Sequence, residues 1–130
     1  MKHAVDTSVL IDLLREHPAA VELFERLVEE EATLVSSYVI RTEVLSGMRR
    51  GEERATRAML DTIEWFPVGE PEAEAAGALG RRYLASNPGI DTPDLLLAEV
   101  AERQGAELLT TNIKHFRELL PGVRAPYRYK

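Results

Sequence analysis

Four short, largely apolar stretches recur along the chain, each too short for a helix and each separated from the next by helix-length segments. They fall at residues 2–5, 33–35, 65–68 and 107–110. Strands joined through intervening helices pair most readily in parallel, with the helices covering the faces of the sheet. The pattern therefore predicts an α/β protein built on a mostly parallel sheet. Pro67 lacks a ladder donor and confines the third strand to an edge or a short run. A fifth strand is expected at Val123–Pro126.

Helix boundaries follow from capping residues and breakers. The first helix starts at Thr7 or Ser8 and runs through Arg15. Pro18 suits the first turn of a second helix, with Val21, Phe24, Leu27 and Val28 as its expected buried stripe. Ser36 or Ser37 caps a third helix running to about Arg50, where Gly51 is expected to stop it. Further helices are expected at Glu52–Ile63, from Pro71 to about Ala85, and at Ile113–Leu120. The turn Asn87-Pro88-Gly89 precedes Thr92-Pro93-Asp94, an N-cap with a first-turn proline, and that helix runs to Gln104 before Gly105.

At 130 residues the chain is expected to form one domain, residues 1–130, burying about 68% of its unfolded surface. It has no cysteine, which excludes disulfides and thiolate zinc sites, and its three histidines show no paired ligand spacing. No apolar run approaches the roughly 18 residues of a membrane span, and the N-terminus lacks the layout of a secretion signal. A soluble cytoplasmic protein is the expectation. The formal charge of -6 argues mildly against binding nucleic acid by bulk electrostatics, although basic residues are grouped locally. These groups are Arg49, Arg50, Arg54 and Arg57, then Arg81 and Arg82, then Arg124, Arg128 and Lys130; solvated helix faces and a polar tail explain them equally well.

Three acids stand at the edges of apolar runs. Asp6 closes the first strand, Glu43 shares a helical face with Val39, Ile40, Val44, Gly47 and Met48, and Asp94 heads Leu95-Leu96-Leu97-Ala98. A carboxylate at an apolar boundary is costly unless neutralised, and one divalent cation shared by all three is an economical solution. Each also has a local explanation. Asp6 can cap the following helix, Asp94 can interact with a helix dipole, Glu43 can pair with Arg50, and Asp91 reads as a loop or capping residue. In open parallel sheets the working site lies beyond the carboxyl ends of the strands, and both Asp6 and Asn112 follow a strand.

Taken together, these pieces resemble the PIN-domain family, in particular its small VapC-type toxins. The matching segments are Val5-Asp6-Thr7-Ser8-Val9-Leu10-Ile11, Thr42-Glu43-Val44, and Ile90 four residues before Asp94-Leu95-Leu96-Leu97-Ala98. Thr110, Asn112, His115 and Phe116 complete the series, which covers residues 2 to 126 in order. The resemblance implies a three-layer sandwich with about five short parallel strands, and a Mg²⁺- or Mn²⁺-dependent ribonuclease acting on RNA. It places Asp6, Glu43 and Asp94 as the acidic metal-binding residues, with Thr7, Ser8, Thr110 and Asp91 as polar neighbours. Position 112, often aspartate in the family, is Asn112 here; an amide oxygen can ligate a metal or orient a water but brings no charge. His115 is expected to pack or face solvent rather than act as a base.

The same resemblance implies a cognate antitoxin partner and a homodimer. Apolar residues of the early helices, Leu10, Leu13, Leu14 and Phe24, exceed what one helical face needs, so an exposed groove is a possibility beside ordinary core packing. Two other functions use the same residues: a metal-dependent phosphatase, or a non-catalytic RNA-binding or interaction domain. The absence of a second aspartate two residues after Asp6 and of a glycine-rich phosphate loop weakens the first.

Overall fold

The computed structural model describes residues 1–117, 119–120, 123 and 125–127. Four strands are present among them: β1 (Lys2–Val5), β2 (Thr33–Ser37), β3 (Ile63–Phe66) and β4 (Glu107–Leu109). All pair in parallel in the spatial order β3-β2-β1-β4. The chain thus builds outward from β1 to β3, then crosses to the opposite side of β1 for β4. That reversal opens a crevice beyond the carboxyl ends of β1 and β4, the place where such sheets bind ligands.

Among the described residues seven helices flank the sheet: α1 (Thr7–Leu14), α2 (Pro18–Glu29), α3 (Tyr38–Ser46), α4 (Glu53–Leu60), α5 (Glu70–Tyr83), α6 (Thr92–Gln104) and α7 (Ile113–Phe116). α6 lies against β1, β2 and β4 on one side and against α5 on the other. Its residues Asp94–Ala101 are buried without interruption, as expected of a helix enclosed between two layers. Gly80 allows the close approach of α5, since a Cβ there would meet Leu95 Cδ1 at 3.2 Å. Gly105 ends α6 in the left-handed conformation, φ 61°, which glycine adopts without steric cost.

Several boundaries differ from expectation for local reasons. α3 stops at Ser46 because Gly47, not Gly51, is the C-cap; Gly51 sits at φ 88° in the following turn, which Glu52 secures by accepting the Arg49 N–H at 2.7 Å. α4 ends at Leu60, which frees Ile63 to begin β3 and point into the core. Pro67 then ends that strand, two residues before the expected limit, and β3 is an edge strand as anticipated. In α2 the buried stripe is Ala20, Leu23, Phe24 and Leu27. Val28 lies roughly 90° from its centre and is 77% exposed.

Leu10 and Phe24 belong to the core, and Leu13 and Leu14 are partly buried against it. α7 ends at Phe116. The expected last helix and fifth strand are not seen at the described residues 119–120, 123, 125 and 126, which are turns, bends and coil; Glu118 and Arg124 lie outside the described residues. No helix among the described residues is long and apolar enough to cross a membrane.

Candidate active site

β1 delivers Asp6 to the crevice and holds it at the first turn of α1, where Oδ1 accepts the Thr7 N–H at 2.8 Å. The capping role and the site role therefore coincide. Oδ2 accepts the Thr110 hydroxyl at 2.6 Å, a buried bond between residues 104 positions apart. Thr110 follows β4, so this bond ties together the ends of the two strands that bound the crevice. Its oxygen also accepts the Asn112 N–H at 3.0 Å. Ser8 adds a second tie between the same segments, accepting the Thr111 N–H at 3.2 Å.

Glu43 reaches the site from α3, where Thr7 Oγ1 donates to its Oε1 at 2.7 Å. The expected placement of Glu43 on a buried face is not observed. Ile40 and Val44 take the core side of α3, and Glu43, on the flank of that stripe, is exposed. Among the described residues it makes no ion pair, so the Arg50 alternative is not realised.

Asp94 enters from the first turn of α6 as half of a capping box. Its N–H donates to Asp91 Oδ1 at 3.1 Å, and its Oδ2 accepts the Asp91 N–H at 3.2 Å. Asp91, rather than Thr92, is the N-cap. Asp94 Oδ2 also meets His115 Nδ1 at 2.8 Å. His115 is therefore a partner of Asp94 rather than a packing or surface residue. Asn112 itself is exposed, and its side chain makes no capping hydrogen bond.

The electrostatics are those of crowded acids with little counter-charge. Burial is the main force raising the Asp6 pKa; the Thr110 and Thr7 hydrogen bonds oppose it, while the nearby charges of Glu43 and Asp91 add to it. Burial likewise dominates at Asp94, whose pKa is pushed up to about 7. There the hydrogen bond from the Asp91 backbone lowers it, contacts with the Asp91 carboxyl raise it, and His115 lowers it. Asp6, Glu43, Asp91 and Asp94 thus sense one another in pairs, and no lysine or arginine is paired with any of them among the described residues.

Hard carboxylate oxygens with a deficit of positive charge are the donor set that Mg²⁺ or Mn²⁺ accepts. No three Asp, Glu or His side chains are already gathered as a metal cage among the described residues. The fit is therefore one of donor chemistry and charge, with the acids bordering a crevice instead of closing on a point. A larger cavity of about 550 Å³ lies elsewhere, between α2 and the β4 edge, and none of these four acids lines it.

A family model described as PIN domain matches residues 4–119. The chain belongs to the PIN-domain family. Among its PIN-domain relatives, Ribonuclease VapC19 of Mycobacterium tuberculosis is 38% identical over 123 residues, which span 95% of this chain and 98% of that protein. Ribonuclease VapC10 of the same organism is 35% identical over 112 residues, covering 86% and 84% of the two chains. A solved toxin–antitoxin complex from Klebsiella pneumoniae contains a chain that superposes with a TM-score of 0.76 at 27% identity, covering 98% of this chain and 99% of that one. The parallel sheet flanked by helices is the PIN architecture anticipated from the sequence motifs.

Proposed function

We propose that this PIN domain is a divalent-metal-dependent endoribonuclease and the toxin of a toxin–antitoxin pair. The observation that carries the reading is the gathering of Asp6, Glu43, Asp91 and Asp94 at the β1–β4 switch point, with His115 their one basic partner among the described residues, in a chain 38% identical to a ribonuclease. Asp6, Asp94 and Glu43 would hold Mg²⁺ or Mn²⁺. Such an ion supplies Lewis-acid polarisation of a phosphoryl oxygen and offsets the negative charge that develops during in-line attack.

The chain's own residues set up that chemistry. Thr110 and the Thr7 N–H fix both oxygens of Asp6, so its carboxylate enters the crevice in one orientation. The Asp91–Asp94 capping box does the same for Asp94 at the mouth of α6. Thr7 occupies Glu43 Oε1, leaving Oε2 to accept the proton of an attacking water. Ser8 holds the backbone after Thr110 in place, which keeps Asn112 at the rim.

A cognate antitoxin is the expected regulator, because a basic side chain entering this acid cluster would supply the missing positive charge and exclude both metal and water. A homodimer and a cytoplasmic location complete the proposal. The test is digestion of a structured RNA with Mg²⁺ or Mn²⁺ against the same reaction in EDTA, with a small phosphoester as a second substrate. Asp6→Asn and Asp94→Asn are each expected to lower RNA cleavage on the order of 100-fold while the fold is retained. Retained cleavage in both variants, or hydrolysis confined to the small phosphoester, would refute it.

A further inference from the structure

Beside the acid cluster lies a cavity of about 400 Å³ lined by Thr111, Asn112, Ile113, Lys114, His115 and Arg117. Its volume is at the small end of the roughly 300–1,000 Å³ of ligand pockets, and its charge is opposite to that of the acid cluster. Lys114 and Arg117 are exposed cations, and no acidic residue is among the described residues that line it. Neither cation is in an ion pair among the described residues. The Asn112 side chain, exposed and making no capping bond, is part of the cavity lining.

Two short links fix this cavity against the site. The Asn112 N–H donates to Thr110, whose hydroxyl donates to Asp6. His115, part of the cavity wall, is 2.8 Å from Asp94. A ligand in the cavity is therefore one residue away from Asp94, through His115, and two from Asp6, through Asn112 and Thr110.

We infer that this cavity is a phosphate subsite for the RNA strand, in which the Asn112 side chain, Lys114 and Arg117 hold a backbone phosphate neighbouring the scissile one. The inference rests on the ribonuclease reading and extends it. The acid cluster repels a polyanion, so a substrate strand needs cationic side chains close to the point of cleavage, and this cavity presents them. An acid at position 112 would repel a phosphate there, whereas an amide donates a hydrogen bond to it. Asn112 is thereby assigned to the substrate rather than to the metal. Arginine and lysine side chains holding phosphates also make affinity dependent on salt in a countable way.

The experiment is binding of a fluorescent single-stranded oligoribonucleotide of mixed sequence to the whole chain in EDTA, over a series of salt concentrations. Lys114→Ala/Arg117→Ala is expected to weaken binding about tenfold and to reduce the slope of log K against log salt by about 0.7, the value of one single-strand phosphate contact. Lys114→Arg/Arg117→Lys should restore both. Asn112→Asp should weaken RNA binding without enlarging the thermal shift produced by Mn²⁺. An unchanged slope in the alanine variant, no salt-dependent binding by the wild-type chain, or a larger Mn²⁺ shift in Asn112→Asp would overturn the subsite. Binding is read without metal, so failure of the wild-type chain to cleave would count against the nuclease reading alone.

Discussion

Replacing Thr110 by valine keeps the shape of a fully buried side chain and removes a single hydroxyl. That hydroxyl donates to Asp6 Oδ2 at 2.6 Å and accepts the Asn112 N–H at 3.0 Å. A hydrogen bond to an ionised group contributes about 1.5–3 kcal/mol and a neutral one about 1 kcal/mol. Losing both is expected to cost about 3 kcal/mol. With an unfolding entropy of about 2.1 cal/mol/K per residue, a chain of 130 residues has about 270 cal/mol/K, and Tm falls by about 11 °C.

In an Asp6→Asn background the same change should cost only about 2 kcal/mol, because both bonds are then between neutral groups. The two substitutions are thus coupled by about 1 kcal/mol, above the scatter of independent sites. Thermal unfolding of the wild type, both single variants and the double variant in EDTA at pH 8 measures this directly. Additive losses, with coupling below about 0.5 kcal/mol, would show that Thr110 does not hold a charged Asp6 and would remove the tie proposed to orient it.

Three other outcomes follow from the same geometry. In metal-free protein Asp94 keeps its proton to about pH 7 when folded, against an ordinary value of 3.8. The folded state therefore binds more protons than the unfolded state within that window, and stability falls as pH rises through it and levels off above. Wild-type Tm should accordingly drop relative to Asp94→Asn between pH 4 and 7, and a constant difference would refute the burial argument. Glu31 follows α2 at φ 53°, a left-handed conformation that suits glycine. Glu31→Gly should raise stability by about 1 kcal/mol, and an unchanged urea midpoint would show that no strain is stored there. Gly105→Ala, at φ 61°, should lower stability by about 1 kcal/mol by the same measurement, and no loss would contradict the steric account.

Most of the architecture was legible because each strand is short and several helices begin with a recognisable cap or a first-turn proline. The Ser37 cap and the proline-marked start of α6 fell where their residue types place them. Misplaced boundaries came from choosing between two glycines: Gly47 and Gly51 are equally plausible stops, and only the turn secured by Glu52 decides between them. Glu43 showed a different weakness. Helical angle places it beside Ile40 and Val44, but α3 sits at the rim of the sheet and buries only a narrow strip, so a flanking position is open to solvent. The Asp91–Asp94 capping box could have been read from its spacing. The contact of His115 with Asp94 could not, since it depends on how α7 folds back over the start of α6.

The Thr110–Asp6 bond has a consequence for the order in which the protein becomes active. During synthesis β1 leaves the ribosome before its partner β4, which is encoded more than a hundred residues later. Until β4 emerges, Asp6 lacks the hydroxyl that orients it and the crevice lacks one wall. A nascent chain that still lacks β4 should thus be inert toward nearby RNA, with competence acquired only once that strand has docked. For the ribonuclease toxin proposed above, such a delay would leave time for an inhibitor to be present when β4 docks.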